Sequence, residues 1–139
     1  MKTRKIWANL AVKDVRRTWE FYLKLGFTPN CPTTTTELAS FVVGDDDFVI
    51  HFFEQERLKT SLEGEISDLS QGNEIMFTLS AESKEEVDQW VEEVSKAGGT
   101  IHFDSKKDRK KFYDDNAYYV CVFSDPDGHK FNVFYNGNK

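Results

Sequence analysis

The sequence predicts an α+β fold of two paired βαβββ modules, forming a curved mixed sheet with a cup-shaped cavity, on three observations. The order strand, helix, three strands occurs twice, over residues 4–54 and again over 73–136. The strands alternate apolar and polar side chains with a period of two. The last two strands meet at Asp125-Pro126-Asp127-Gly128, where the turn chemistry is explicit. Pro126 pre-sets φ, Gly128 tolerates positive φ, and Asp125 and Asp127 accept hydrogen bonds from nearby amides. Two halves, each too small to bury its own sheet, are expected to pair and bury both.

In the first half, residues 5–12 read as a strand with Ile6, Ala8, Leu10 and Val12 on one face and Trp7, Asn9 and Ala11 on the other. Asp14 caps a helix to about Leu25, with Val15, Trp19, Tyr22 and Leu23 as its apolar stripe and Gly26 as its stop. Strands are expected over 27–30, 37–43 and 47–53, the last two joined at Gly44. Residues 55–72 read as a linker carrying one short helix.

The second half repeats the plan. A strand over 74–80 has Ile75, Phe77 and Leu79 on one face and Glu74, Met76 and Thr78 on the other. Ser83 and Glu86 form a capping box for a helix striped by Val87, Trp90, Val91 and Val94, which ends at Gly98-Gly99. Strands follow over 100–103, 118–123 and 129–135. Between the first two, residues 104–116 carry Lys106, Lys107, Arg109, Lys110 and Lys111 and then Asp114 and Asp115, and read as a solvated loop.

Bulk properties bound the function. A chain of 139 residues makes one compact domain, 1–139, able to bury about two-thirds of its unfolded surface. A net charge of −6 argues against nucleic acid as the main partner. No apolar run reaches the about 18 residues of a membrane span, and Met1-Lys2-Thr3-Arg4-Lys5 lacks the apolar core of a signal peptide, so a cytoplasmic protein is expected. Cys31 and Cys121 are too few for a disulfide framework, and Cys121 reads as a core residue between Val120 and Val122. Twelve Phe in so polar a chain exceed what one small core needs, which leaves some to wall a ligand pocket.

Set side by side, the strands have one apolar face for the helices and one mixed face bearing Trp7, Asn9, Ala11, Val49, His51, Phe53, Glu74, Met76, Thr78, Asn132 and Phe134. A solvated face would carry Lys and Glu freely. One imidazole, one carboxylate and two amides among aromatic rings instead describe a small-molecule site. His51 and Glu74 admit three readings: a mutual hydrogen bond, an acid–base pair, or two metal ligands. His102 and His129 show no evident partner in the sequence.

The Asp-Pro-Asp-Gly turn before a short apolar strand, at the end of a doubled βαβββ chain, resembles the vicinal oxygen chelate superfamily of glyoxalase I, extradiol dioxygenases and bleomycin-resistance proteins. The resemblance covers nearly the whole chain. It implies a cup that, in metal-using members, holds a divalent ion on four side chains, commonly His, Glu, His and Glu. The matching positions here are Trp7, His51, Glu74 and Asn132. Trp7 cannot ligate and Asn132 offers a neutral amide oxygen, so no cofactor is expected, a loosely held divalent metal on His51 and Glu74 being the competing reading.

Two function classes follow. One is a binding protein that takes a planar or apolar organic ligand on Trp7, Asn9, Phe53, Met76, Thr78, Asn132 and Phe134. The other is a lyase, isomerase or dioxygenase type of enzyme using His51 and Glu74. A homodimer is expected, because each module leaves a sheet edge and the linker permits exchange.

Overall fold

The computed structural model describes residues 1–102 and 106–137. Its elements run β1 (Trp7–Val12), α1 (Val15–Lys24), β2 (Thr28–Pro29), β3 (Leu38–Val43), β4 (Phe48–Glu54), α2 (Gln55–Leu62), β5 (Met76–Ser80), α3 (Lys84–Ala97), β6 (Thr100–Ile101), α4 (Lys106–Asn116), β7 (Tyr118–Ser124) and β8 (Lys130–Asn136). The fold is α+β, with two four-stranded mixed sheets ordered β1-β4-β3-β2 and β5-β8-β7-β6. The chain divides into two compact units, Met1–Asp68 and Leu69–Lys139.

In the first unit β1 runs parallel to β4, and β3 lies antiparallel to both β4 and β2. The parallel step needs a crossover, which α1 supplies. Asp14 caps α1 by accepting from the Arg17 amide at 3.1 Å. The buried stripe is Val15, Thr18, Phe21 and Tyr22, whereas Leu23, expected inside, is 40% exposed. A polar residue can occupy this stripe because the Thr18 hydroxyl donates to the Asp14 carbonyl at 3.2 Å. Tyr22 then stacks on Phe52 at 4.7 Å and meets Phe27 at 4.9 Å and Phe41 at 5.6 Å, the aromatic centre of this unit's core. Ile6, expected on the inner face of the first strand, precedes β1 and is 74% exposed. The short helix expected after β4 is α2, capped by the Glu54 carboxylate on the Glu56 and Arg57 amides.

In the second unit β5 runs parallel to β8, and β7 lies antiparallel to β8 and β6. Ser83 caps α3 by accepting from the Glu86 amide at 3.1 Å, and the Glu86 carboxylate accepts from the Glu82 amide at 2.6 Å. Below α3 an aromatic series runs from Trp90 to Phe123 at 5.9 Å, on to Phe131 at 5.1 Å and to Phe77 at 5.4 Å. Cys121 is fully buried, and desolvation pushes its thiol up to about 11, which leaves it inert.

Two expectations fail in this unit. The fifth strand begins at Met76, so Glu74 and Ile75 lie outside it, both exposed. The ladder with β8 opens at the pair Met76↔Lys130. Upstream the chain turns instead toward the final hairpin, where the Asn73 amide donates to the Gly128 carbonyl at 2.8 Å. The charged stretch after β6 is a helix, α4, and not a loop. Phe103 and residues 104–105 lie outside the described residues. α4 docks because Arg109, 4% exposed, meets Asp88 of α3 at 3.0 Å, and because Tyr113 packs with Tyr119 and Tyr135.

Candidate ligand-binding faces

Each sheet has one face under its helices and one without, and the strand registers decide which side chains share the second. In the first unit the pairs Trp7↔Val49, Asn9↔His51 and Ala11↔Phe53 put the expected residues on one face. Ser40 joins them opposite His51, and accepts from the Asn30 amide at 3.1 Å. Trp7 meets His51 edge-on at 6.5 Å, and Phe53 lies 5.7 Å from the imidazole on its other side. Trp7 remains 49% exposed. The His51 ring is therefore set between two aromatic groups on a strand fixed from both edges.

His51 Nδ1 is buried and has no hydrogen-bond partner among the described residues. Desolvation by burial lowers the His51 pKa, which favours a neutral imidazole with one donor and one acceptor nitrogen.

In the second unit the pairs Thr78↔Asn132, Val122↔Asn132 and Val120↔Phe134 set Asn132 and Phe134 on the helix-free face. Met76 and Thr78 share it, and both are exposed. Glu74, just ahead of β5, stands outside this register. Tyr118 is a residue the sequence reading missed: it is 42% exposed and lies 5.0 Å from Phe134, ring to ring. Alternation along the seventh strand would have found it, since Tyr118, Val120 and Val122 share one face.

The two other histidines do have partners. His129 Nδ1 lies 2.9 Å from Asp125 Oδ2, while Asp125 Oδ1 accepts from the amides of Asp127, Gly128 and His129. This closes the final turn. His102 Nε2 lies 3.0 Å from the Ser124 hydroxyl on the helix-free face. Desolvation, and then the Lys130 charge, lower the His102 pKa.

A chain with two mixed four-stranded sheets of this topology has many structural counterparts, and the family model for the Glyoxalase/Bleomycin resistance protein/Dioxygenase superfamily matches residues 6–133. The chain belongs to that superfamily. A hypothetical protein from S. aureus superposes with a TM-score of 0.77 at 26% identity, covering 97% of this chain and 95% of that one. A glyoxalase-related enzyme from Fulvimarina pelagi superposes at 0.71 with 16% identity over 96% and 89% of the two chains. A genomically encoded fosfomycin resistance protein from Listeria monocytogenes does so at 0.68 with 16% identity over 97% and 92%. No curated protein matches.

Superfamily membership raises the question of a metal, and the residues at the matching positions answer it poorly. The Trp7 indole is a donor only, and Asn132 brings no charge. Among the described residues no group of three or more His, Cys, Asp or Glu gathers as a divalent ion requires. The orphaned His51 Nδ1 would suit an imidazole ligand, but Trp7, Asn9 and Ser40 beside it within the same unit bring no charge. Within the first unit, the neutral neighbours of His51 are by themselves a poor donor set for a divalent ion.

Proposed function

We propose that this superfamily member binds a small planar or apolar organic molecule on the aromatic, helix-free faces of its sheets, without a tightly held metal. The observation that carries the reading is His51, a half-buried imidazole between Trp7 and Phe53 whose Nδ1 has no partner among the described residues. Stranding a buried polar atom costs about 1–3 kcal/mol, a cost that a ligand hydrogen bond offsets. Asn9 and Ser40 flank the imidazole on the neighbouring strands. In the second unit Met76, Thr78, Asn132 and Phe134 offer a comparable mixture. The fold shared with a fosfomycin resistance protein supports a small-molecule role.

The second reading is an enzyme in which His51 acts as a general base together with Glu74. It is favoured by the lowered pKa of His51, since a neutral imidazole can take a proton. The homodimer belongs to the proposal as well, with the sheet edges β1 and β5 as its available pairing surfaces. No helix among the described residues is long and apolar enough to cross a membrane.

Two measurements on purified protein test the reading. Titration with a panel of neutral planar aromatics, followed through the half-exposed Trp7, should give saturable fluorescence quenching. Elemental analysis should find well under one equivalent of Fe, Mn, Ni or Zn. A full equivalent, or no quenching by any member of the panel, would replace this reading with the enzyme one.

A further inference from the structure

The helix-free face of the second sheet changes character along its strands. At one end Tyr118 and Phe134 lie ring to ring at 5.0 Å. At the other, the register pairs Ser124 with Lys130, and His102 Nε2 meets the Ser124 hydroxyl at 3.0 Å. Along β8 the face reads cation, amide, ring: Lys130, Asn132, Phe134. Four residues of strand separate the ends, about 13 Å at the usual rise per residue.

The polar end is built into the sheet. Ser124 is 6% exposed, and its hydroxyl is held by an imidazole from the neighbouring strand's end. Lys130 is half-buried and has no carboxylate partner among the described residues. A lysine in this chain has ample acidic company, since Asp and Glu outnumber Lys and Arg by 24 to 18. One left without it, beside a hydroxyl and an imidazole, is a site for an anion that charge-assisted hydrogen bonds would hold. Asn132, midway, can both donate and accept to a polar group in the middle of the same ligand.

We propose that this face holds an elongated amphipathic anion, an aryl-terminated carboxylate, with its ring on Tyr118 and Phe134 and its carboxylate at Lys130, His102 and Ser124. The inference rests on the small-molecule reading and sharpens it from any planar compound to one ligand class. The overall field of an acidic protein opposes every anion, so the ring contact at the apolar end must add to the charge contact at the polar end for such a ligand to be held.

Calorimetric titration with phenyl-terminated hexanoate, its primary amide and plain hexanoate tests this directly. The acid should bind about tenfold tighter than the amide and about tenfold tighter than hexanoate, the usual worth of one charged hydrogen bond or one well-placed ring. Lys130→Gln should erase the preference for acid over amide, and Lys130→Arg should keep it. Tyr118→Ala should weaken acid and amide alike. Circular dichroism confirms that each variant is folded.

Equal binding of acid and amide, or a preference that survives Lys130→Gln, overturns the inference, as does an acid that fails to bind at millimolar concentration. A parallel titration with the neutral aromatic panel separates this from failure of the broader reading. If the panel quenches Trp7 and the acid does not bind, the inference alone falls. If neither binds, both fall.

Discussion

Arg109 of α4 places Nη2 3.0 Å and Nε 3.1 Å from Asp88 Oδ1 of α3, and the same oxygen accepts from the Tyr119 hydroxyl at 2.7 Å. One carboxylate thereby joins two helices to a strand. The Arg109 side chain is 5% exposed and that of Asp88 21%, so removing one partner leaves a charge stranded away from water. Arg109→Ala should cost about 3 kcal/mol in urea unfolding. Replacing both residues with apolar groups of similar size should cost less than the single change. The opposite order would show that the ion pair itself stabilises the fold.

Gly137 lies against Tyr113, whose hydroxyl occupies the space that a Cβ would need. Tyr113 is not free to move away, because Lys84 Nζ sits 3.7 Å above its ring and Tyr135 stacks 6.5 Å from it. Gly137→Ala should therefore displace Tyr113 and destabilise the protein by about 1–2 kcal/mol. In a Tyr113→Ala background, which removes both the crowding hydroxyl and the ring edge behind it, the same change should cost much less.

Much of the architecture could be read in the sequence because its signals are local. The Asp14 and Ser83 caps, the turn at Asp125 and the alternation that puts His51 with Trp7 and Phe53 all depend on residues near one another in the chain. What was missed depends on distant partners. Glu74 falls outside β5 because β8 opens its ladder only at Lys130, a register that residues 74–80 do not encode. α4 looks like a solvated loop because its stability comes from Asp88, 21 residues upstream of Arg109, and from the pairs Lys110–Asp114 and Lys111–Asp115, whose charges resemble a polar tract. The His102–Ser124 contact likewise forms across strands 22 residues apart.

Asp125 accepts three backbone amides on one oxygen and faces His129 with the other, its side chain wholly buried. Asp125→Ala should destabilise the protein by about 3 kcal/mol, within the range for losing several buried bonds to a charged group. Hydrogen exchange should show the loss first at the amides of Asp127, Gly128 and His129.

Acid should weaken the fold through His51 and His102. Burial lowers both pKa values, so below about pH 6.5 the unfolded chain takes up protons that the folded chain does not. Stability therefore falls as pH drops through the ordinary histidine range and levels only below the folded pKa values. His51→Gln should flatten this part of the profile. A profile unchanged by the substitution would mean that His51 titrates normally in the folded protein.

The sharpest test of the proposed site is His51→Ala. Asn9 and Ser40 hold β4 from both sides through backbone pairing, which the substitution leaves intact, and the core residues Ile50 and Phe52 point to the other face. The protein should fold, and loss of an imidazole whose Nδ1 has no partner among the described residues should cost the free state little. Ligand binding is different, because the ligand loses its polar anchor between Trp7 and Phe53. Affinity for the neutral aromatic panel should fall by about 1–3 kcal/mol, the cost of leaving one buried partner unpaired. Trp7→Ala should weaken the same ligands through lost ring contact, and the double variant should be no worse than the sum, since edge-on rings at 6.5 Å couple weakly. If the His51→Ala protein instead loses an equivalent of divalent metal that the parent carries, the imidazole is a ligand, and the chemistry is that of the enzyme reading.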